Sequence, residues 1–141
     1  MLSTIERVLA LQKNPIFAEL PTDGLAVMAA IAEEVEFHIG QSLFGEGDRP
    51  DACYLILAGQ VDLQRGGQTA LSVGPGEDIG VWALFDGEPH LYAAQAAANT
   101  HALRLAQDDF YDLLADHTDI IRSLFRTLVK RIRSVLAERS A

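Results

Sequence analysis

The stretch GPGEDIGVWALFDGEPHLYAAQAA, residues 74–97, combines a glycine-rich approach, a short helical turn and a following strand. Gly80 immediately precedes the turn, which we expect over Val81–Phe85. Backbone N–H groups at the start of a helix are unpaired and carry the positive end of its dipole. The stretch therefore has the layout of a phosphate-binding cradle, although the side chains that would complete such a site are apolar.

Length and composition are those of an ordinary globular domain. The 141 residues suit one domain, and 49% hydrophobic with 22% charged residues argue against disorder. No apolar run approaches the roughly 20 residues needed to cross a bilayer, and Glu6 lies where a secretory signal would be basic. We therefore expect a cytoplasmic protein with no membrane-inserted segment. The single cysteine, Cys53, lies in an apolar strand pattern and is interpreted as a core residue.

The net charge of −9 conceals an asymmetry along the chain. Residues 1–118 hold 18 acidic and 5 basic residues, whereas residues 119–141 hold 2 acidic and 6 basic residues. An acidic body repels nucleic acid, and a basic helix end is more often a solvated surface or a partner for acidic groups. We therefore expect no nucleic acid among the partners.

The periodicity of the apolar residues divides the chain into three segments. Helical spacing and a capping box, Ser3 with Glu6, predict N-terminal helices within residues 1–33. From residue 34 the period changes to two, and many short strands separated by turn residues predict a β-roll over residues 34–106. A short helix and a long one are expected within residues 107–141. Because helices flank the strands, we predict a single, mainly β domain built as a double-sheet jelly roll.

Glycines delimit several of the strands. Residues 52–63 are predicted to form two strands that pivot on Gly59, and a glycine hairpin leads into a strand over residues 69–73. Beyond the cradle, residues 92–97 and 101–105 are predicted to pair as two further strands.

Four short motifs follow one another along the chain: Phe44-x-Glu46-Gly47-Asp48, Tyr54-Leu55-Ile56-Leu57-x-Gly59-x-Val61, Gly76-x-x-Ile79-Gly80 and Asp109-Phe110-x-x-Leu113-Leu114. In this order they resemble the cyclic nucleotide-binding domain family, which includes the catabolite activator protein and the regulatory subunits of cyclic-AMP-dependent kinase. The resemblance implies an eight-stranded roll, a phosphate-binding cassette over residues 74–97, and a final helix that closes over the pocket or signals from it.

The cassette departs from the pattern of that family, which is approximately F-G-E-L-A-L, a loop, and then R-(S/T)-A. The resemblance implies a glutamate on the ribose hydroxyl, an arginine on the cyclic phosphate and a small hydroxyl residue beside it. In this chain those positions hold Val81, Leu91 and Tyr92. His90 replaces the arginine only if the loop is shifted, and a neutral imidazole is a poor substitute for a bidentate guanidinium. The candidate ligand-binding positions are Gly80, Val81, Trp82, Ala83, Leu91 and Tyr92.

These departures predict that the chain has lost ordinary cyclic nucleotide binding and uses no cofactor. Losing one partner of a buried charge pair costs about 2–5 kcal/mol, and unpaired ribose hydroxyls cost about 1–3 kcal/mol more. No Lys or Arg lies between Arg65 and Arg104. The alternative is a small-molecule sensor, in which either of these two arginines supports weak binding of cyclic AMP or cyclic GMP, or the apolar pocket takes a different effector.

Catalytic and metal-binding motifs are not evident in the sequence. The four histidines, His38, His90, His101 and His117, are far apart, and the paired H-x-H of a metal-binding jelly roll is absent. No nucleophile elbow precedes a serine. We interpret the chain as a regulatory domain, not an enzyme, without a metal site.

The final helix contains an apolar seam whose residues are spaced by 4, 3, 4 and 3 positions: Ile121, Phe125, Leu128, Ile132 and Val135. This seam either packs on its own domain or pairs with a second copy or a host protein. Bacterial regulators of the resembled family continue from this helix into a winged helix-turn-helix, whereas the sequence ends at Ala141. We therefore expect a lone regulatory domain or one appended to a larger protein.

Overall fold

The computed structural model describes residues 1–140, and within them eight strands form two antiparallel sheets. In chain order the strands are β1 (Glu33–Phe37), β2 (Ser42–Phe44), β3 (Ala52–Ala58), β4 (Val61–Arg65), β5 (Gln68–Val73), β6 (Asp78–Ile79), β7 (Ala93–Ala96) and β8 (Thr100–Ala106). One sheet has the order β1-β8-β3-β6, and the other has the order β2-β7-β4-β5. The predicted double-sheet roll is confirmed. The predicted pairing of the last two strands is wrong, because β7 pairs with β2 and β4 in one sheet, whereas β8 pairs with β1 and β3 in the other.

Helices precede the roll, interrupt it once at the cassette and follow it. They are α1 (Thr4–Gln12), α2 (Thr22–Ile31), α3 (Val81–Asp86), α4 (Gln107–Asp116) and α5 (Thr118–Ser140). The predicted capping box of α1 is present: the Glu6 backbone N–H donates to Ser3 Oγ at 3.2 Å, and the Ser3 N–H donates to Glu6 Oε1 at 3.0 Å. Among the described residues, none of these helices is both long and apolar enough to cross a membrane.

Strand β3 separates the two parts of the hydrophobic core. Cys53 and Leu55 face the cluster formed with the helices, whereas Tyr54 and Ile56 face the cluster between the two sheets. This follows from the alternation of side chains along a strand. Because β3 is covered on both faces, it is apolar over most of its length, and Cys53 is a buried core residue as predicted.

The turn at Gly59 holds the two sheets close together. Gly59 has a φ of +100°, and a Cβ atom built there would lie 2.5 Å from the carbonyl oxygen of Asn99 and 2.6 Å from Thr100 Oγ1. Only glycine fits both the backbone conformation and the close approach. The predicted pivot between β3 and β4 is therefore confirmed.

Several element boundaries differ from the sequence-based ones. Strand β1 begins at Glu33, inside the segment predicted to be helical, because α2 already ends at Ile31 and Ala32 is extended. Strands β2 and β6 were not anticipated, since they have only three and two residues and are defined by distant partners. In β6, Ile79 pairs with Tyr54 of β3, which fixes this part of the cassette to the β1-β8-β3-β6 sheet.

Candidate functional site

A cavity of about 550 Å³ lies between the cassette, the β4–β5 hairpin and α5. Much of its surface is apolar and comes from Phe44, Leu63, Leu71, Val73, Ile79 and Trp82. The segment after α1 also reaches it, through Asn14 and Pro15. The cavity therefore combines residues from both ends of the chain with the central cassette.

Helix α3 divides its side chains between the cavity and the core. Gly80 precedes the helix with a φ of +79°, as the predicted glycine turn requires. Trp82 and Ala83 line the cavity, whereas Val81 and Leu84, three positions apart on one face, are fully buried among the core side chains. Val81 was expected in the wall of an apolar pocket, and this expectation is corrected: its side chain belongs to the core.

Leu91 and Tyr92 lie on the rim of the cavity without filling it. Leu91, the residue aligned with the arginine of the family pattern, is 69% exposed, and Tyr92 is half-buried. Both contribute to the wall of the same open cavity, together with Gly80, Trp82 and Ala83. The structure thus brings together five of the six candidate positions, with Val81 as the exception.

His90 is the buried residue of the cassette loop. Its ring stacks on Phe44 with the ring centres 3.6 Å apart, and its backbone N–H donates to the Asp48 carbonyl at 3.0 Å. A Cβ atom built on Gly80 would lie 3.2 Å from His90 Cε1, so the imidazole packs directly beneath the glycine turn. Its Nε2 is buried without a hydrogen-bond partner, and burial lowers the pKa of His90. His90 is therefore a packing residue and not part of the cavity wall.

The charges around the cavity are mainly negative. Four carboxylates line it, from Glu77, Asp78, Asp86 and Glu88. Among the described residues the cavity wall contains a single basic side chain, that of Arg131 on α5. Neither of the arginines considered from the sequence belongs to the wall, since Arg65 lies at the end of β4 and Arg104 lies near Glu33 and Asp51, at 3.4 Å and 3.7 Å.

Arg131 contacts the cassette through Trp82. The guanidinium carbon lies 5.4 Å from the centre of the indole ring, within the range of a cation–π interaction. Trp82 is 45% exposed, so the contact closes only part of the cavity mouth. Sequence reasoning did not single out Arg131. The available signal was a cluster of basic residues on α5, which does not specify the one that meets the cassette.

Asn14 fixes the N-terminal segment to the cassette. Its Nδ2 donates to the Gly76 carbonyl at 3.1 Å and to Asp78 Oδ1 at 2.9 Å, and its Oδ1 accepts a hydrogen bond from the Ile16 N–H at 2.9 Å. The side chain is fully buried. From the sequence, Asn14 and Pro15 were interpreted only as a helix break, so this link to the cavity wall was missed.

The seam residues of α5 differ in exposure. Phe125, Ile132 and Val135 are 63%, 59% and 51% exposed, whereas Ile121 and Leu128 are half-buried. The buried face of the helix is carried instead by Ile120, Ser123, Leu124 and Thr127. The helix thus packs on its own domain with one face and presents the outer part of the seam to solvent.

Within the described residues no group of three or more His, Cys, Asp and Glu side chains is arranged to hold a metal ion. Cys53 is fully buried, and burial raises the pKa of its thiol, which keeps the sulfur in the unreactive protonated form. The described residues thus provide neither a metal-ligand cluster nor a reactive thiol, and the site is a cavity with charged and aromatic edges.

Comparison with known sequences places these features in a family. The model of the cyclic nucleotide-binding domain matches residues 34–117. The chain belongs to this family. A CRP-like cAMP-activated global transcriptional regulator of Mycobacterium tuberculosis is 27% identical over 128 residues, which cover 87% of this chain and 57% of that protein. The chain therefore spans just over half the length of this curated relative.

Solved structures of similar proteins agree with the fold. The N-terminal domain of a transcriptional regulator from Streptomyces coelicolor superposes with a TM-score of 0.81 at 31% identity, covering 92% of this chain and 93% of that one. The Thermus thermophilus catabolite activator protein gives a TM-score of 0.73 at 28% identity, covering 90% and 62% of the two chains. Both structures superpose on at least 90% of this chain, including residues outside the range that the family model matches.

Proposed function

We propose that this domain is a regulatory module that does not bind ordinary cyclic nucleotides and that acts by pairing with a second copy through α5. The observation that carries the proposal is the charge of the cavity wall, where four carboxylates face one arginine. That arginine comes from α5, not from the cassette, and its guanidinium lies over the ring of Trp82.

The cyclic phosphate is the part of a cyclic nucleotide that such a wall accommodates least well. Where the family pattern has an arginine, this chain has Leu91, and the neighbouring His90 is turned into the core with a pKa lowered by burial. At neutral pH the cassette loop therefore offers the phosphate no charged donor. Loss of such a charged contact costs about 2–5 kcal/mol, which weakens binding by roughly 1.5 to 3.5 decades.

The dimer part of the proposal rests on the outer half of α5. After Thr127 the helix has no buried residue within the range that the structure describes, and Ile132 and Val135 are exposed there, as is Phe125 just before Thr127. An isolated helix of this length is only marginally stable in water, so a helix end with no buried residue gains from packing against a partner. The heptad spacing is self-complementary in a two-stranded coiled coil, so a second copy of α5 is the occupant that fits it.

Three of the six basic residues of α5 lie away from the seam and do not oppose such a pairing. Arg126, Lys130 and Arg133 fall on the side of the helix away from the seam, by the 100° rotation per residue of an α-helix. Lys130 pairs there with Glu19 of the same domain. The seam itself is therefore apolar along its exposed length.

Thermal unfolding with and without nucleotide tests the first part of the proposal. A ligand at about 100 times its dissociation constant stabilises the folded state by about 2.7 kcal/mol. We expect no shift of the midpoint with cyclic AMP or cyclic GMP, with the M. tuberculosis relative as a positive control for cyclic AMP. A concentration-dependent rise of the midpoint for this chain would refute the proposed loss of binding.

Sedimentation velocity tests the second part. We expect a species of twice the chain mass, and we expect Phe125→Glu to shift it to the monomer because each copy would bring a charge into the seam. Arg133→Glu introduces a glutamate away from the seam, with a charge change one unit larger than that of Phe125→Glu, and serves as the control, which should stay dimeric. A monomeric parent chain at all accessible concentrations would exclude the dimer, and would leave a host segment as the partner of the seam.

The open cavity favours a second function, the sensing of a small molecule other than a cyclic nucleotide. Trp82, Leu91 and Tyr92 border a space of about 550 Å³ and do not occupy it. Cavities of this size, with apolar walls and a few polar groups, are typical of small-molecule sites. Soaking or titrating chemically distinct ligands distinguishes a sensor from a purely structural module.

A further inference from the structure

We propose that the cavity binds an amphipathic cation, with an apolar or aromatic body and one ammonium or guanidinium group, which takes the place of the Arg131 guanidinium over Trp82. The inference rests on the second function above, that the cavity receives a small molecule, and it names the class of that molecule.

The apolar body of the ligand follows from the inner wall. Phe44, Leu63 and Val73 contribute to that wall, with Ile79 at the start of the cassette. Val73 and Ile79 are themselves buried, so this part of the surface is fixed by the core and does not need to form on binding. Such a wall favours a ligand whose apolar surface is removed from water when it binds.

The positive charge of the ligand follows from the rim. Glu77, Asp86 and Glu88 are exposed at the cavity, and Asp78 lies deeper, held by Asn14. Clefts lined by one sign of charge attract ligands of the opposite sign and repel those of the same sign. An anion therefore meets an unfavourable field at this mouth, whereas an ammonium or guanidinium group meets a favourable one.

The contact between Arg131 and Trp82 shows, independently of the acidic rim, that this mouth accommodates a cation. The guanidinium of Arg131 lies 5.4 Å from the centre of the indole ring. Arg131 is an exposed side chain on a part of α5 that has no buried residue among those described. An exposed cation–π contact is weak, so a ligand cation with additional apolar contacts inside the cavity can displace it.

Displacement also connects the cavity with α5. Arg131 immediately precedes the seam residue Ile132, so loss of its contact with Trp82 releases α5 from the cassette at the point where the seam is exposed. Occupancy of the cavity and the position of α5 around Ile132 then change together.

The test uses the fluorescence of Trp82, the single tryptophan of the chain. Phenylbutylamine, phenylbutanol and phenylbutyrate share one aromatic body and differ in charge, and each is titrated against the intact chain. We expect a saturable change with the amine at a concentration at least about tenfold below that needed for the alcohol, and no saturation with the carboxylate. Equal binding of amine and alcohol, or preferred binding of the carboxylate, would overturn the proposal.

Two α5 variants test the displacement step. Arg131→Gln removes the competing guanidinium, so the dissociation constant of phenylbutylamine should fall several-fold. Arg133→Gln removes the same charge two residues further along and controls for the general field; it should leave the constant nearly unchanged. If both variants shift the constant equally, or if Arg131→Gln leaves it unchanged or raises it, the cation does not replace Arg131.

Cyclic AMP is titrated in the same assay to separate the two proposals. Saturable binding of cyclic AMP refutes the proposed loss of nucleotide binding, whatever the amine does. A flat response to all three phenylbutyl compounds, together with a flat response to cyclic AMP, refutes the cation site and leaves that loss of nucleotide binding intact.

Discussion

Replacement of Asn14 by alanine should destabilise the domain strongly, because this small residue links the N-terminal segment to strand β6. Its side chain makes three hydrogen bonds, to the Gly76 carbonyl, to the Asp78 carboxylate and from the Ile16 N–H, at 2.9–3.1 Å. Asn14 is fully buried, and its removal deletes all three bonds, of which the one to the buried Ile16 N–H is the hardest for water to replace.

The expected loss in the free energy of unfolding is the sum of the contributions of the three hydrogen bonds. Each bond to a neutral backbone group contributes about 1 kcal/mol, and the bond to the Asp78 carboxylate contributes about 1.5–3 kcal/mol. Asn14→Ala should therefore lower the free energy of unfolding by about 3–5 kcal/mol. At about 2–4 °C per kcal/mol for a domain near this size, the thermal unfolding midpoint should fall by roughly 6–20 °C.

The assay is urea unfolding followed by circular dichroism, with Asn99→Ala as the matched control. Asn99 Oδ1 accepts one hydrogen bond, from the Ile39 N–H at 2.9 Å at an exposed site, so its loss should cost no more than about 1 kcal/mol. The reasoning is refuted if Asn14→Ala costs no more than Asn99→Ala.

Three further predictions concern residues that are buried or closely packed. Burial lowers the pKa of His90, so the unfolded chain binds a proton that the folded chain excludes. The free energy of unfolding should therefore fall as the pH drops below about 6.5. Urea titrations at two pH values should show a smaller fall for His90→Phe. Gly59→Ala should cost more than about 3 kcal/mol because its Cβ atom overlaps Asn99, whereas Gly66→Ala, with open space around it, should cost only about 1–2 kcal/mol in the same unfolding assay. Cys53 should react with a thiol reagent only after unfolding, since burial raises the pKa of its thiol.

The roll could be predicted from the sequence because its signals are local. Gly59 separates two apolar runs, and its positive φ and tight packing are the reason that glycine occurs there. The apolar run of β3 identifies Cys53 as a core residue, and the observed burial agrees. Strands β2 and β6 escaped prediction because two or three residues carry no period, and their existence depends on partners elsewhere in the chain.

The cavity could be predicted only in part. The cassette motif located Trp82 and Leu91 on its wall, but the orientation of Val81 depends on which face of α3 meets the core, and a motif does not specify that. The contributions of Asn14 and Arg131 come from opposite ends of the chain. They arise from the way in which the N-terminal segment and α5 cross the roll, which neither composition nor periodicity encodes.

The most direct test of the account is isothermal titration calorimetry of the intact chain with cyclic AMP and cyclic GMP. With Leu91 at the arginine position and four carboxylates on the cavity wall, we predict no saturable heat for either nucleotide up to about 1 mM, which corresponds to a binding free energy weaker than about −4 kcal/mol. A saturable isotherm with a micromolar dissociation constant for either nucleotide would contradict the account.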